Sequence, residues 1–216
     1  MEHHNFKLNT SKKASIEYLL HIPHGYDQND AYQWPIILFL HASEERGNDL
    51  DLIKTQGIPQ ILESGEDIPF IVIAPQCPNR ASWTIKNDIL MALVDEISKA
   101  YHTDPKRIYL TGMSMGGYGT WSIACLNPDK FAAIAPICGG GDPEKMTNIK
   151  HLPVWTFHGA KDTTVPIKQT KRLVQKLKTL GNDVKFTIYP EAEHDSWTEA
   201  YNDPELYDWF LQHQNQ

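Results

Sequence analysis

A succession of short apolar runs, separated by helix-length segments or turn clusters, most tightly limits what this chain can become. "SIEYLLHI" (15–22) reads as a strand that ends at Pro23. "PIILFLH" (35–41) and "FIVIAPQ" (70–76) are continuous apolar runs, the pattern of strands buried on both faces. "RIYL" (107–110), "FAAIAPI" (131–137), "VWTFH" (154–158) and "VKFTIY" (184–189) complete the set.

The intervening segments carry helical spacing. Ile89, Leu93, Ile97 and Ala100 recur at one-turn intervals, with Asp88, Asp95, Glu96 and Lys99 on the opposite side. Residues 167–180 place Leu173, Leu177 and Leu180 on one stripe, with Gly181 as the C-terminal stop. In "DPELYDWFLQH", Asp203 suits a cap, Pro204 the first helical position, and Leu206, Trp209 and Phe210 the inward face. A weaker pattern over 49–63 is interrupted by Gly57 and Pro59. Strands alternating with helices predict an α/β fold: a mostly parallel central sheet with helices on both faces. No repeat, low-complexity tract or linker divides the 216 residues, so a single domain spanning 1–216 is expected. Its N-terminal segment, 1–14, is available as an extra edge strand.

The formal net charge of −7 argues against binding nucleic acid by phosphate neutralisation. No run approaches the ~18 apolar residues of a membrane span. No basic tract suggests a membrane surface. The opening "MEHHNFKLNT" lacks the apolar core of a signal peptide. Cytoplasmic is the default expectation, with a domain excised from a secreted protein as the alternative. Cys77, Cys125 and Cys138 are scattered and odd in number, which suits free buried thiols better than a disulfide framework.

The chemistry concentrates in "RIYLTGMSMGGYGTW". A strand runs into Gly112-Met113-Ser114-Met115-Gly116, and residues 118–126 continue as a helix. This is the G-x-S-x-G nucleophile elbow: the turn is so tight that side chains at 112 and 116 would collide, while hydrogens fit. The helix then aims its first N–H groups, beginning with Met115, at negative charge developing beside Ser114. A glycine-rich turn that only packs a helix on a sheet is the plainer explanation of the five residues taken alone. A serine hydroxyl needs a base, and the base needs an orienting group. On this fold their chain order is serine, acid, histidine. Asp162 follows the "VWTFH" strand and His194 follows "VKFTIYP", each at a strand's carboxyl end, where ligands gather in such sheets.

Asp142, after "ICGGG", is a rival acid. Asp195, adjacent to His194, reads as a solvated charge, and His41 and His158 as loop-shaping hydrogen-bonders. His3, His4, His21, His24 and His151 read as surface or packing residues. The oxyanion requires a second donor from the loop "LHASEERGND". The backbone N–H of Ser43 is the expected donor, with Ala42 the fallback.

Taken together, "GMSMGGYGTW", "HGAKDTTVP" and "EHDSWTEAYNDPELYDWFL" resemble the compact serine esterases of the α/β-hydrolase superfamily. The branch is the one that groups carboxylesterases, feruloyl-esterase-like domains and predicted peptidases. The similarity runs over about residues 15–211, and it implies ester hydrolysis by Ser114, Asp162 and His194. Relatives usually read "LHG.G.RG", so Ala42 and Glu44 stand where glycines are usual. The resemblance also suggests Trp83 and Trp197 as substrate-binding walls, alongside Met113, Met115 and Tyr118; packing in the core is the alternative for each. No insertion between strands is long enough for a lid domain. The expected cleft is open, suited to small short-acyl esters or to feruloyl and acetyl esters on a polysaccharide.

The leading expectation is therefore a carboxylic ester hydrolase that needs no cofactor and no metal. A serine peptidase or thioesterase of the same fold is the alternative. A ligand-binding protein on a hydrolase fold is a further one. Metal-dependent hydrolysis finds no H-E-x-x-H or clustered Cys/His spacing, and dinucleotide binding finds no G-x-G-x-x-G.

Overall fold

The computed structural model describes residues 1–8, 14–29 and 31–215. Eight strands form one sheet: β1 (Glu2–Leu8), β2 (Ala14–His21), β3 (Trp34–Leu40), β4 (Ile71–Pro75), β5 (Thr103–Met113), β6 (Ala133–Ile137), β7 (Trp155–Gly159) and β8 (Lys185–Tyr189). Their order is β1-β2-β4-β3-β5-β6-β7-β8. The β1–β2 and β2–β4 pairs are antiparallel; every pair from β4 to β8 is parallel. Among the described residues, six α-helices accompany the sheet: α1 (Gly57–Glu63), α2 (Asn87–Ala100), α3 (Met115–Leu126), α4 (Lys168–Thr179), α5 (Trp197–Asn202) and α6 (Pro204–Leu211). This is the α/β-hydrolase architecture expected from the sequence.

The continuous apolar runs are explained by a core on each side of the sheet. Along β3, Ile36, Leu38 and Leu40 point into one core, with Leu93 and Ile97 of α2, Trp121 of α3 and Leu173 of α4. Ile37 and Phe39 point into the other, with Ile58 of α1, Tyr201 of α5 and Phe210 of α6. The period-two alternation of a strand thus serves two apolar faces at once. The helix ends follow their expected chemistry. Asp203 caps α6 by accepting from the Glu205 N–H at 2.9 Å, and Gly181 stops the α4 segment with φ +83.

Two local expectations change. The pattern over 49–63 resolves into a 3-10 turn, Leu50–Thr55, and α1. The strand read as "RIYL" starts at Thr103, before a register shift between Trp34 and Ile36 on the neighbouring β3. Asp104 and Pro105 there carry turn chemistry that masked the extended backbone. The short 3-10 segments Trp83–Ile85 and Pro143–Ile149, and α5, have too few residues to show a period. No helix among the described residues is long and apolar enough to cross a membrane.

Candidate active site

β5 ends at Met113 and α3 begins at Met115, leaving Ser114 alone to make the turn. Its backbone sits at φ 52, ψ −113, a conformation that costs a non-glycine residue about 1–3 kcal/mol. Neighbouring strands hold it there. The Ser114 N–H donates to Ile137 O at 3.0 Å and lies 3.3 Å from Cys138 Sγ. The turn closes so tightly that a Cβ on Gly112 would lie 2.6 Å from Gly116 O, and one on Gly116 would lie 1.8 Å from Leu40 O. Both obstacles are backbone, which cannot rotate away.

The loops after β7 and β8 bring two further side chains to this point. His194 Nε2 lies 2.9 Å from Ser114 Oγ, and His194 Nδ1 lies 2.7 Å from Asp162 Oδ2. A carboxylate only accepts, so Nδ1 carries the hydrogen and Nε2 offers its lone pair to the serine hydroxyl. The other Asp162 oxygen, Oδ1, accepts from the N–H groups of Thr164 and Val165 at 2.9 and 2.8 Å. Asp162 is buried and pinned, while His194 keeps some solvent exposure. Trp197 sets its edge against the His194 ring, 5.3 Å between centroids. An imidazole so oriented can take a proton from Ser114 and pass it on.

The loop after β3 lies at the same end of the sheet, because Leu40 pairs with Gly112. It is stiffened from several sides. Trp83 Nε1–H donates to His41 O at 2.9 Å, the Cys77 N–H donates to His41 Nε2 at 2.9 Å, and Arg46 Nε–H donates to Ser43 O at 2.9 Å. With Nε2 accepting, His41 carries its hydrogen on Nδ1, which donates to Ala42 O at 2.6 Å. Among the described residues, neither the Met115 nor the Ser43 N–H donates to a protein acceptor. Ala42 and Glu44 are accommodated by this network: Ala42 is buried and Glu44 accepts from the Ser43 hydroxyl at 2.9 Å.

One substrate-binding expectation is corrected. Trp83 is fully buried, its indole N–H is satisfied by His41, and its Cβ packs on the face of Gly119. It braces the loop after β3 and offers no surface to a ligand. Trp197 is also nearly buried, and the contact it offers is to His194. Asp142 is exposed and caps the Pro143–Ile149 turn through the Glu144 N–H, so it stands apart from His194. Asp195 likewise caps α5, accepting from Thr198 N and Oγ1 at 3.0 and 2.8 Å.

Cys138 is a neighbour of the site that no local sequence signal marks. It has φ +40 and lies beside Ser114 because Met113 pairs with Ile137. Only the β5–β6 register could have shown this. Burial pushes its thiol up to about 12, so it is protonated at neutral pH. Among the described residues, Cys138, Asp162 and His194 form one group of metal-binding residue types, with ligand atoms within 4.8 Å of one another. The Asp162 and His194 atoms are already engaged in the line to Ser114, and the thiol keeps its proton, so the group reads as a hydrogen-bonded site. All three cysteines are free and buried.

The chain is similar to several known proteins. A bifunctional acetylxylan esterase/xylanase of Neocallimastix patriciarum is 26% identical over 185 residues, covering 81% of this chain and 26% of the relative. "Probable feruloyl esterase C" of Aspergillus terreus is 31% identical over 160 residues, covering 70% of this chain and 56% of the relative. The chain thus spans little more than half, or less, of either relative. Among solved structures, a thermostable esterase superposes with a TM-score of 0.83 at 32% identity, covering 99% of this chain and 63% of that one. The family model described as "Dienelactone hydrolase family" matches residues 68–207, a span that contains Ser114, Asp162 and His194. With the α/β-hydrolase sheet and the elbow at the end of β5 in place, that match makes this chain a member of the dienelactone hydrolase family.

Proposed function

We propose that this protein is a carboxylic ester hydrolase that works through an acyl-enzyme. Ser114 Oγ attacks the ester carbonyl while His194 Nε2 takes its proton. Asp162 holds the imidazole in the required tautomer and stabilises it once charged. The N–H groups of Met115 and Ser43 receive the tetrahedral oxyanion, each worth ~3–4 kcal/mol of transition-state stabilisation. His194 then protonates the leaving alcohol, and water repeats the attack to free the acid. The observation that carries this reading is the continuous line from Ser114 through His194 to Asp162, at 2.9 and 2.7 Å.

The substrate class is drawn from the relatives' names. Relatives named for acetylxylan and feruloyl esters support polysaccharide-linked esters of this kind as substrates. The test uses a fluorophosphonate probe together with p-nitrophenyl acetate, methyl ferulate, acetylated xylan and a p-nitroanilide. The expected result is labelling of the wild type but not of Ser114→Ala, with turnover of esters and not of the anilide. Equal ester turnover by Ser114→Ala would end the proposal.

A further inference from the structure

A second buried imidazole stands on the acid of this site. His158, the penultimate residue of β7, is wholly buried. Its Nε2 lies 2.8 Å from Val165 O and 3.2 Å from Asp162 Oδ2, the same oxygen that meets His194. Its Nδ1 lies 2.7 Å from Thr170 Oγ1 on α4. The Thr170 hydroxyl in turn lies 2.7 Å from Gly139 O, in the loop behind Ser114.

Counting hydrogens decides what this arrangement holds. Val165 O and the Asp162 carboxylate only accept, so Nε2 carries a hydrogen. In the neutral ring Nδ1 is then a lone pair, and it competes with Gly139 O for the single hydrogen of Thr170. A second proton on Nδ1 removes the conflict: Nδ1–H donates to Thr170, and Thr170 donates to Gly139 O. Asp162 is the counter-charge. Burial is the largest influence on His158 and pushes this second proton's affinity below the ordinary value of 6.5, and the charge of His194 acts the same way. Val165 and Asp162 oppose them. The Cys138 thiol, pushed up to about 12, does not titrate in the same range, and α4 meets the ring through the uncharged Thr170 hydroxyl.

We propose that His158 is a positioning residue for Asp162: it shares Oδ2 with His194 and, on taking a second proton at acid pH, draws that oxygen away from His194. This rests on the assignment of Ser114, His194 and Asp162 to ester hydrolysis. His194 accepts the serine proton only as the neutral imidazole. A second proton on His158, held below the ordinary value of 6.5 chiefly by burial, weakens the hold of Asp162 on His194 and so also acts against activity. The acid limb of kcat/KM is therefore a two-proton limb.

The test measures kcat/KM for p-nitrophenyl acetate against pH with the full chain, for the wild type, His158→Gln, His158→Phe, Thr170→Val and Ser114→Ala. A glutamine amide can donate to Val165 O and Asp162 Oδ2 but cannot titrate. The wild type is expected to show a two-proton acid limb and His158→Gln a one-proton limb. On the plateau, His158→Phe should lose about a hundredfold in kcat with KM little changed, and His158→Gln should recover to within roughly tenfold of the wild type. Thr170→Val removes the acceptor for the Nδ1 proton, so its limb should also become one-proton. A one-proton limb in the wild type, or a two-proton limb retained in His158→Gln, overturns the proposal. If His158→Gln does not fold, as judged by its circular-dichroism melt, the wild-type limb and Thr170→Val decide. Activity surviving in Ser114→Ala would instead mean that the hydrolase assignment had failed, a separate outcome.

Discussion

Gly116→Ala is the sharpest test of how the elbow is built. The added Cβ would sit 1.8 Å from Leu40 O, 2.6 Å from Leu40 C and 2.9 Å from His41 O. These are backbone atoms of β3 and of the loop that follows it. Reaching even a 3.0 Å contact requires the start of α3 and the end of β3 to separate by about 1.2 Å. That movement carries Ser114 and Met115 away from Ser43, whose loop is anchored to β3. Overpacking on this scale costs at least ~3 kcal/mol of stability. A displacement near 1 Å costs on the order of a hundredfold in rate for the molecules that still fold. Gly181→Ala is the control, since its Cβ would meet nothing within 4 Å and only the φ of +83 is unfavourable, at about 1 kcal/mol. Urea denaturation gives the stability of each variant. Fluorophosphonate titration counts competent sites, so that kcat/KM for p-nitrophenyl acetate is read per active molecule. A Gly116→Ala protein with wild-type stability and wild-type kcat/KM would refute the reasoning, because no close approach would then exist.

Asp162→Asn keeps the oxygen that accepts from Thr164 and Val165 but removes the charge facing His194. Its kcat should fall by about 10⁴, with a stability loss of ~1–3 kcal/mol because the new amide N–H faces the buried His158 Nε2–H; a kcat drop below tenfold would contradict the role given to the acid. Trp83→Phe leaves His41 O without its indole donor and should cost ~1–3 kcal/mol in denaturation, lowering kcat more than KM. An effect confined to KM would instead return Trp83 to the substrate wall. Cys77, Cys125 and Cys138 are buried, and burial pushes their thiols up to about 11, 11 and 12. At pH 8 a disulfide reagent should therefore leave all three unmodified in the folded protein and react with all three in guanidinium; rapid reaction of any one in the native state would contradict its burial.

Much of this molecule is legible in its residues because the relevant signals are local. A run such as "PIILFLH" declares two apolar faces without reference to any partner, and the glycines at 112 and 116 announce a turn that no side chain could share. The order serine, acid, histidine, each after a strand, is likewise a one-dimensional fact. Trp83 shows where that kind of reading stops. Its sequence position beyond β4 suits a substrate wall, but the direction of its ring depends on Gly119 and His41, which lie far along the chain.

The sequence alone determined the buried strands and the longer helices, and which three side chains stand at carboxyl ends, because periodicity and turn chemistry act over a few residues. Only the tertiary structure decided that β3 lies between β4 and β5, that Cys138 backs Ser114, and that His158 and His194 share one oxygen of Asp162. Those relations depend on sheet order and register. Apolar patterning states that a side chain must be buried; the packing of distant strands chooses its neighbour.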